Sequence, residues 1–114
     1  DAPCSGTGTL ARKPEIRFRL RKSDPKRMAA LQERILSCAA RHLEKGGVLL
    51  YSVCSILPEE GPEVVRACLE KDRGLRAIEP PGLPPSLEAG GSGGLLLLPT
   101  THGTEGFFIA AMTR

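Results

Sequence analysis

The stretch DPKRMAALQERILSCAARHLEKGGVLLYSVCS, residues 24–55, changes its periodicity at a single Gly-Gly step, and that change decides the fold class. Before the step, Met28, Leu31, Ile35, Cys38, Ala39, His42 and Leu43 recur at helical spacing, which predicts a helix with these residues on its inner stripe. Asp24 is the predicted N-cap, Pro25 suits the first helical position, and Gly46 stands just past the end. After the step, VLLYSVCS (48–55) has the β-rich, apolar character of a buried strand.

Downstream, a second helix is expected from near Pro58, with Glu59, Glu60 and Glu63 in its first turns, where acidic groups suit the helix dipole. Val64, Val65, Cys68 and Leu69 form its inner face. Pro62 should make it begin late or irregularly, because proline is tolerated only in a first turn. LRAI (75–78) reads as a weak strand and Pro80–Gly94 as a surface loop. Leu95–Pro99 and FFIAAM (107–112) read as strands joined by THGTEG. Upstream, residues 1–20 read as loop.

Strands alternating with helices predict an α/β domain with a mostly parallel sheet and helices on its faces. Ligands of such sheets bind at the carboxyl ends of strands. YSVCS lies at such an end, and DAPCSG (1–6) would hold the same place behind a strand encoded upstream.

The 114 residues allow one domain, and a hydrophobic share of 40% suits a globular one. No apolar run approaches the ~20 residues that span a bilayer, so no membrane partner is expected. No leader is visible at the N-terminus, which makes a cytoplasmic setting the expectation. The net charge is +3, yet residues 12–27 carry eight basic side chains against Glu15 and Asp24. That segment therefore holds +6 and the remainder −3, the pattern of a polyanion-binding or solvated basic face. Cys4, Cys38, Cys54 and Cys68 show no Cys-x-x-Cys or Cys-x-x-His spacing, so free thiols are expected, with no metal. Gly6-x-Gly8 is too short for a dinucleotide fingerprint and lacks the Gly-Lys-Ser/Thr ending of a phosphate loop.

Cys4 and Cys54 lie in loops that parallel strands would bring to one sheet edge. A thiolate there is a nucleophile for an electron-poor carbon, and two thiols also permit a redox pair. The bland reading of either is a small buried hydrophobe.

DAPCSGTG resembles the Asp-Ala-Pro-Cys-Ser-Gly motif of the Sun/Fmu family of RNA cytosine-5 methyltransferases. YSVCSILPEE resembles that family's Tyr-Ser-Thr-Cys-Ser and Pro-Glu-Glu run, and HGTEGFFIA its closing Gly-Thr-Asp-Gly-Phe-Phe segment. TLARKPEIRFRLR is similar to bacterial members, so the resemblance covers essentially the whole chain. It implies the C-terminal half of a Rossmann-like catalytic domain over residues 1–114, with an upstream half expected to hold most of the S-adenosylmethionine site. It implies Cys54 as the nucleophile on cytosine C6, Cys4 as the residue that assists release, and Asp1 at the cytosine N3 and amino edge. Asp1 and Pro3 are the implied cofactor-binding residues, and Pro3 would fix the loop so that Cys4 faces the base. Arg12, Lys13, Arg17, Arg19, Arg21 and Lys22 are the expected contacts to RNA, ribosomal RNA above all. Phe18 is a candidate to stack on a base.

Val53, Gly61 and Glu105 depart from the family's threonine, asparagine and aspartate, and none of them touches Asp1, Cys4 or Cys54 in sequence role. A second reading is a non-catalytic RNA-binding or assembly module of the same fold. A DNA cytosine-5 methyltransferase, with Cys4 as nucleophile, is disfavoured by the paired cysteine motifs. His42 is expected to pack or cap, His102 to lie near the pocket, Cys38 and Cys68 to sit in the core, and Tyr51 to pack behind the nucleophile. This length alone is expected to be inactive, and a half-sheet edge predicts self-association.

Overall fold

The computed structural model describes residues 1–84, 87 and 94–114. Its elements are α1 (Ile16–Arg19), α2 (Asp24–Arg41), β1 (Val48–Val53), α3 (Pro62–Lys71), β2 (Arg76–Ile78), β3 (Leu95–Leu97), α4 (Pro99–His102) and β4 (Phe107–Thr113). Short 3-10 turns cover Thr7–Thr9 and Pro58–Glu60. Among the described residues no helix is long and apolar enough to cross a membrane.

The α/β character holds, but the mostly parallel sheet does not. Every strand pair among the described residues is antiparallel and involves β4. β1 lies along one edge of β4, from Val48 opposite Thr113 to Val53 opposite Phe108. β2 and β3 share the other edge end to end, at residues 111–113 and 107–109 of β4. The physical reason is an insertion. Because β1 and β2 both oppose β4, they run parallel to each other, as a strand–helix–strand crossover through α3 requires. The gap between them is filled by β4, which arrives from the opposite direction.

One face of the sheet carries the core. Tyr51 and Val53 of β1 stand opposite Ala110 and Phe108 of β4, and Met112 completes the row. Leu36 and Ala40 of α2 and Val64, Val65 and Cys68 of α3 pack onto it. Successive strand residues alternate faces, so Val48 and Leu50 point away from this layer and remain 48% and 54% exposed.

Helix α2 is where expected but turned. Gln32, Leu36 and Ala40 are buried, with Ala29 and Leu43 beside them, whereas Leu31, Ile35, Cys38 and His42 are exposed. The predicted stripe is therefore displaced by about one residue, roughly 100° around the helix. A polar Gln32 in the true inner face masked it. Cys38 is accordingly no core residue, while Cys68 is one. Ser23 rather than Asp24 occupies the cap position, and the Asp24 carboxylate instead accepts the Arg21 N–H (2.9 Å) and pairs with Arg27 (3.1 Å).

Helix α3 does begin late, with Pro62 at its first position and the Pro58–Glu60 turn ahead of it. The expected loop over residues 1–20 contains one 3-10 turn and the single-turn α1. The expected Pro80–Gly94 loop lies largely outside the described residues. At the far end, Arg114 donates to the Ala40 carbonyl (3.1 Å) and pairs with Asp72, fastening the strand to both long helices.

Candidate active site: two thiols hung on one carboxylate

The N-terminal segment folds back onto the carboxyl end of β1. The Ala2 N–H donates to the Ser52 carbonyl (2.9 Å), and the Gly8 N–H to the Cys54 carbonyl (3.0 Å). Gly6 makes the turn possible with φ +74°, a region that favours glycine. Gly106 then donates to the Gly8 carbonyl (2.8 Å), so the loop preceding β4 closes on the same spot.

This crossing brings Cys4 and Cys54, fifty positions apart, to an Sγ–Sγ distance of 3.3 Å. Both are half-buried free thiols. Burial first, and then its hydrogen bond to Cys54, pushes the Cys4 thiol up to about 12. Cys4 therefore keeps its proton at neutral pH, and either sulfur can donate across the contact.

The residue that joins the two loops is one the sequence reading placed at a helix dipole. Glu60 is fully buried. Its Oε1 accepts from the Ser5 N–H (2.8 Å) and from Gln32 Nε2 (3.2 Å). Its Oε2 accepts from the Ser5 hydroxyl and from the Ser55 hydroxyl (2.6 Å). Ser5 follows Cys4 and Ser55 follows Cys54. With its proton committed to Glu60, Ser55 accepts from Thr7 (3.0 Å) and from the Leu57 N–H (3.2 Å), while Thr7 accepts from the Ile56 N–H (3.3 Å). Gln32 also donates to the Pro3 carbonyl (2.8 Å), and the Tyr51 hydroxyl donates to the Glu60 carbonyl (2.6 Å). Tyr51 thus packs behind the thiols as expected, edge-on to Phe108.

Sequence reading missed Glu60, Gln32 and Thr7. The signal that was present is the serine immediately after each cysteine, a pair of hydroxyls that needs an acceptor once buried.

Of the other candidates, Asp1 and Pro3 are exposed beside the end of β1. Arg12, Lys13, Arg17, Arg19, Arg21 and Lys22 are all exposed, and Arg12 is held by Glu105 at 2.9 Å. Phe18 is 77% exposed, with the Arg17 guanidinium 4.7 Å from its ring centre. Cys4, Ser5, Arg19 and Arg27 line a cavity of about 210 Å³ together with Ile16 and Met28. A larger cleft, about 590 Å³, runs along the outer face of α2 past Leu31, Ile35 and Cys38. None of the thiol network lines it. The His102 ring accepts from the Leu98 N–H (3.0 Å), closing α4 on itself.

The sequence model of the family described as 16S rRNA methyltransferase RsmB/F matches residues 1–113. Ribosomal RNA small subunit methyltransferase B of Thermus thermophilus is 46% identical over the whole chain, which covers 28% of that protein. The enzyme of the same name from Cronobacter sakazakii is 38% identical, again over the whole chain, which covers 25% of it. The chain thus spans about a quarter of the length of these curated relatives. Among solved structures, NSun6 from Pyrococcus horikoshii with SFG superposes with a TM-score of 0.81 at 29% identity, over all of this chain and 28% of that one. A methyltransferase homolog protein from Pyrococcus horikoshii does so with a TM-score of 0.76 at 32% identity, over all of this chain and 37% of that one. The chain belongs to the RsmB/F family of 16S rRNA methyltransferases.

Proposed function

We propose that the protein carrying this chain methylates C5 of a cytosine in small-subunit ribosomal RNA through a covalent bond between Cys54 and the base. The observation that carries this reading is the 3.3 Å approach of two thiols delivered by separate loops. A nucleophilic thiolate and a thiol donor in contact are what addition followed by elimination requires.

The Cys54 thiolate adds to C6, and the ring electrons move so that C5 becomes the nucleophile. Asp1, exposed at the mouth of the site, holds the N3 and amino edge while negative charge builds on the ring. S-adenosylmethionine, when bound, supplies an electrophilic methyl on a sulfonium, and one solved relative was determined with SFG, an analogue of it. Loss of the C5 proton to solvent water then re-forms the double bond and breaks the Cys54–C6 bond, releasing Cys54 as the thiolate. Cys4 aids that last step by hydrogen-bonding its S–H to the departing Cys54 thiolate, keeping its own proton. Asp1 and Pro3 offer one border of a cofactor site. The chain is on this reading the C-terminal part of the catalytic domain. Lys13, Arg17, Arg19, Arg21 and Lys22 present positive charge to the RNA phosphates.

The test uses the full-length natural protein with RNA containing 5-fluorocytidine, which blocks loss of the C5 substituent and accumulates the adduct. Cys54→Ala should abolish the protein–RNA adduct, while Cys4→Ala should retain it. Adduct loss that follows Cys4 instead would assign the nucleophile to the other loop. Salt-sensitive RNA binding without any methyl transfer would favour a non-catalytic binding module.

A further inference from the structure

We propose that Glu60 is a positioning residue, a side-chain clamp that sets the approach of Cys4 to Cys54. Its bearing on methyl transfer rests on the reading above; the clamp itself does not. A carboxyl group with no solvent exposure is costly to bury unless its oxygens are satisfied, and here each oxygen accepts two hydrogen bonds. The donors are not a random set. Oε2 is shared by the hydroxyls of Ser5 and Ser55, the residues directly following the two cysteines. One oxygen atom therefore bridges the two loops one residue from each sulfur. The carboxyl group is itself fixed, by Gln32 from α2 at 3.2 Å and through its backbone by the Tyr51 hydroxyl at 2.6 Å.

The backbone bonds of Ala2 to Ser52 and of Gly8 to Cys54 do not involve Glu60, and they keep the loops attached when it is replaced. Removing the carboxylate should thus loosen the thiols without detaching the segment. Glu60→Gln puts an amide N–H where the Ser5 or Ser55 donors now point, so donors face donors. A carboxylate that merely satisfied buried polar groups would lower stability when replaced and leave thiol proximity in the folded protein unchanged.

The experiment measures how fast diamide closes a Cys4–Cys54 disulfide in the full-length natural protein. The two thiols give up two electrons and two protons, and the azo bond of diamide takes them to become a hydrazine. Peptide mapping identifies the pair, and circular dichroism confirms that each sample is folded. In the folded E60Q protein closure should slow by at least about 10-fold, the scale on which small misplacements act. Ser55→Ala should slow it as well, and Ser5→Ala less, because the Ser5 N–H still reaches Oε1. If E60Q does not fold, S55A decides. Closure at the unaltered rate in the folded variant overturns the proposal. In methyl transfer the same variants should lose kcat with little change in KM for RNA. A full methyl-transfer rate in a variant whose thiols have parted overturns the two-thiol mechanism and leaves the clamp standing.

Discussion

Cys4 keeps its proton far above the pH at which an ordinary cysteine loses it. Burial and the contact with Cys54 raise it from 9.0 to about 12, and burial raises Tyr51 in the same direction. A raised folded value means that the protonated form is the one the fold prefers. The contribution is complete below about pH 9 and is lost as pH climbs through 9 toward 12. Urea midpoints should therefore be flat from neutral pH to about 9 and fall above it, and C4S should flatten the fall. Alkylation should follow the same logic. At pH 8, iodoacetamide should label exposed Cys38 well before Cys4 or buried Cys68, in an order that mass spectrometry reads directly. At this scale both cysteines were readable because each sits in a quoted motif. Glu60 was not, since an acidic residue ahead of a helix has a simpler local explanation, and its serine partners lie 55 and 5 positions away.

Elements meet here by backbone contact as much as by side chains. Gly8 and Gly106 cross so closely that a Cβ on Gly8 would stand 2.0 Å from the Gly106 carbonyl oxygen, and one on Gly106 2.4 Å from Ile56. Gly61 likewise gives way to the Phe108 ring, 2.9 Å from where its Cβ would be. Gly8→Ala should cost at least ~2 kcal/mol, because overpacking costs roughly 1–3 and neither backbone has a rotamer to relieve it. Gly46→Ala, with no atom near its Cβ, should lose only the strain of its φ of +80°. Thermal melts of the two variants compare them. Helix and strand positions were readable from periodicity and from Pro62. The facing of α2 was not, because Leu31, Ile35 and Cys38 make as regular a stripe as Leu36, Ala40 and Leu43. The choice between them is made by partners distant in sequence: Glu60, Pro3 and the core face of the sheet. The insertion of β4 between β1 and β2 left no local trace either, since strand order is a property of pairing rather than of any one strand.

Across the whole molecule the two faces of the sheet differ. α2 and α3 pack against one, and on the other Val48 and Leu50 remain open. The 114-residue chain by itself should self-associate, as exposed apolar strands do, and light scattering across a dilution series should show it. Leu50→Lys should shift it toward monomer with little loss of secondary structure, because that side chain already faces outward. The basic segment predicts a second whole-surface property. Replacing Arg17 or Arg21 by alanine should weaken RNA binding evenly across sequences and lower the log–log salt slope by about one each. Arg12 should matter less, its charge being shared with Glu105.

The central place of β4 has a consequence for truncation. β1, β2 and β3 each find their partner in Phe107–Thr113, and Arg114 reaches both long helices. Among the described residues, β1, β2 and β3 are joined into one sheet only through a strand that follows all three in sequence. This part of the sheet therefore closes only once residues 107–113 are in place. A chain cut before Phe107 would keep Cys4, Cys54 and Glu60 but lose the strand that joins β1, β2 and β3.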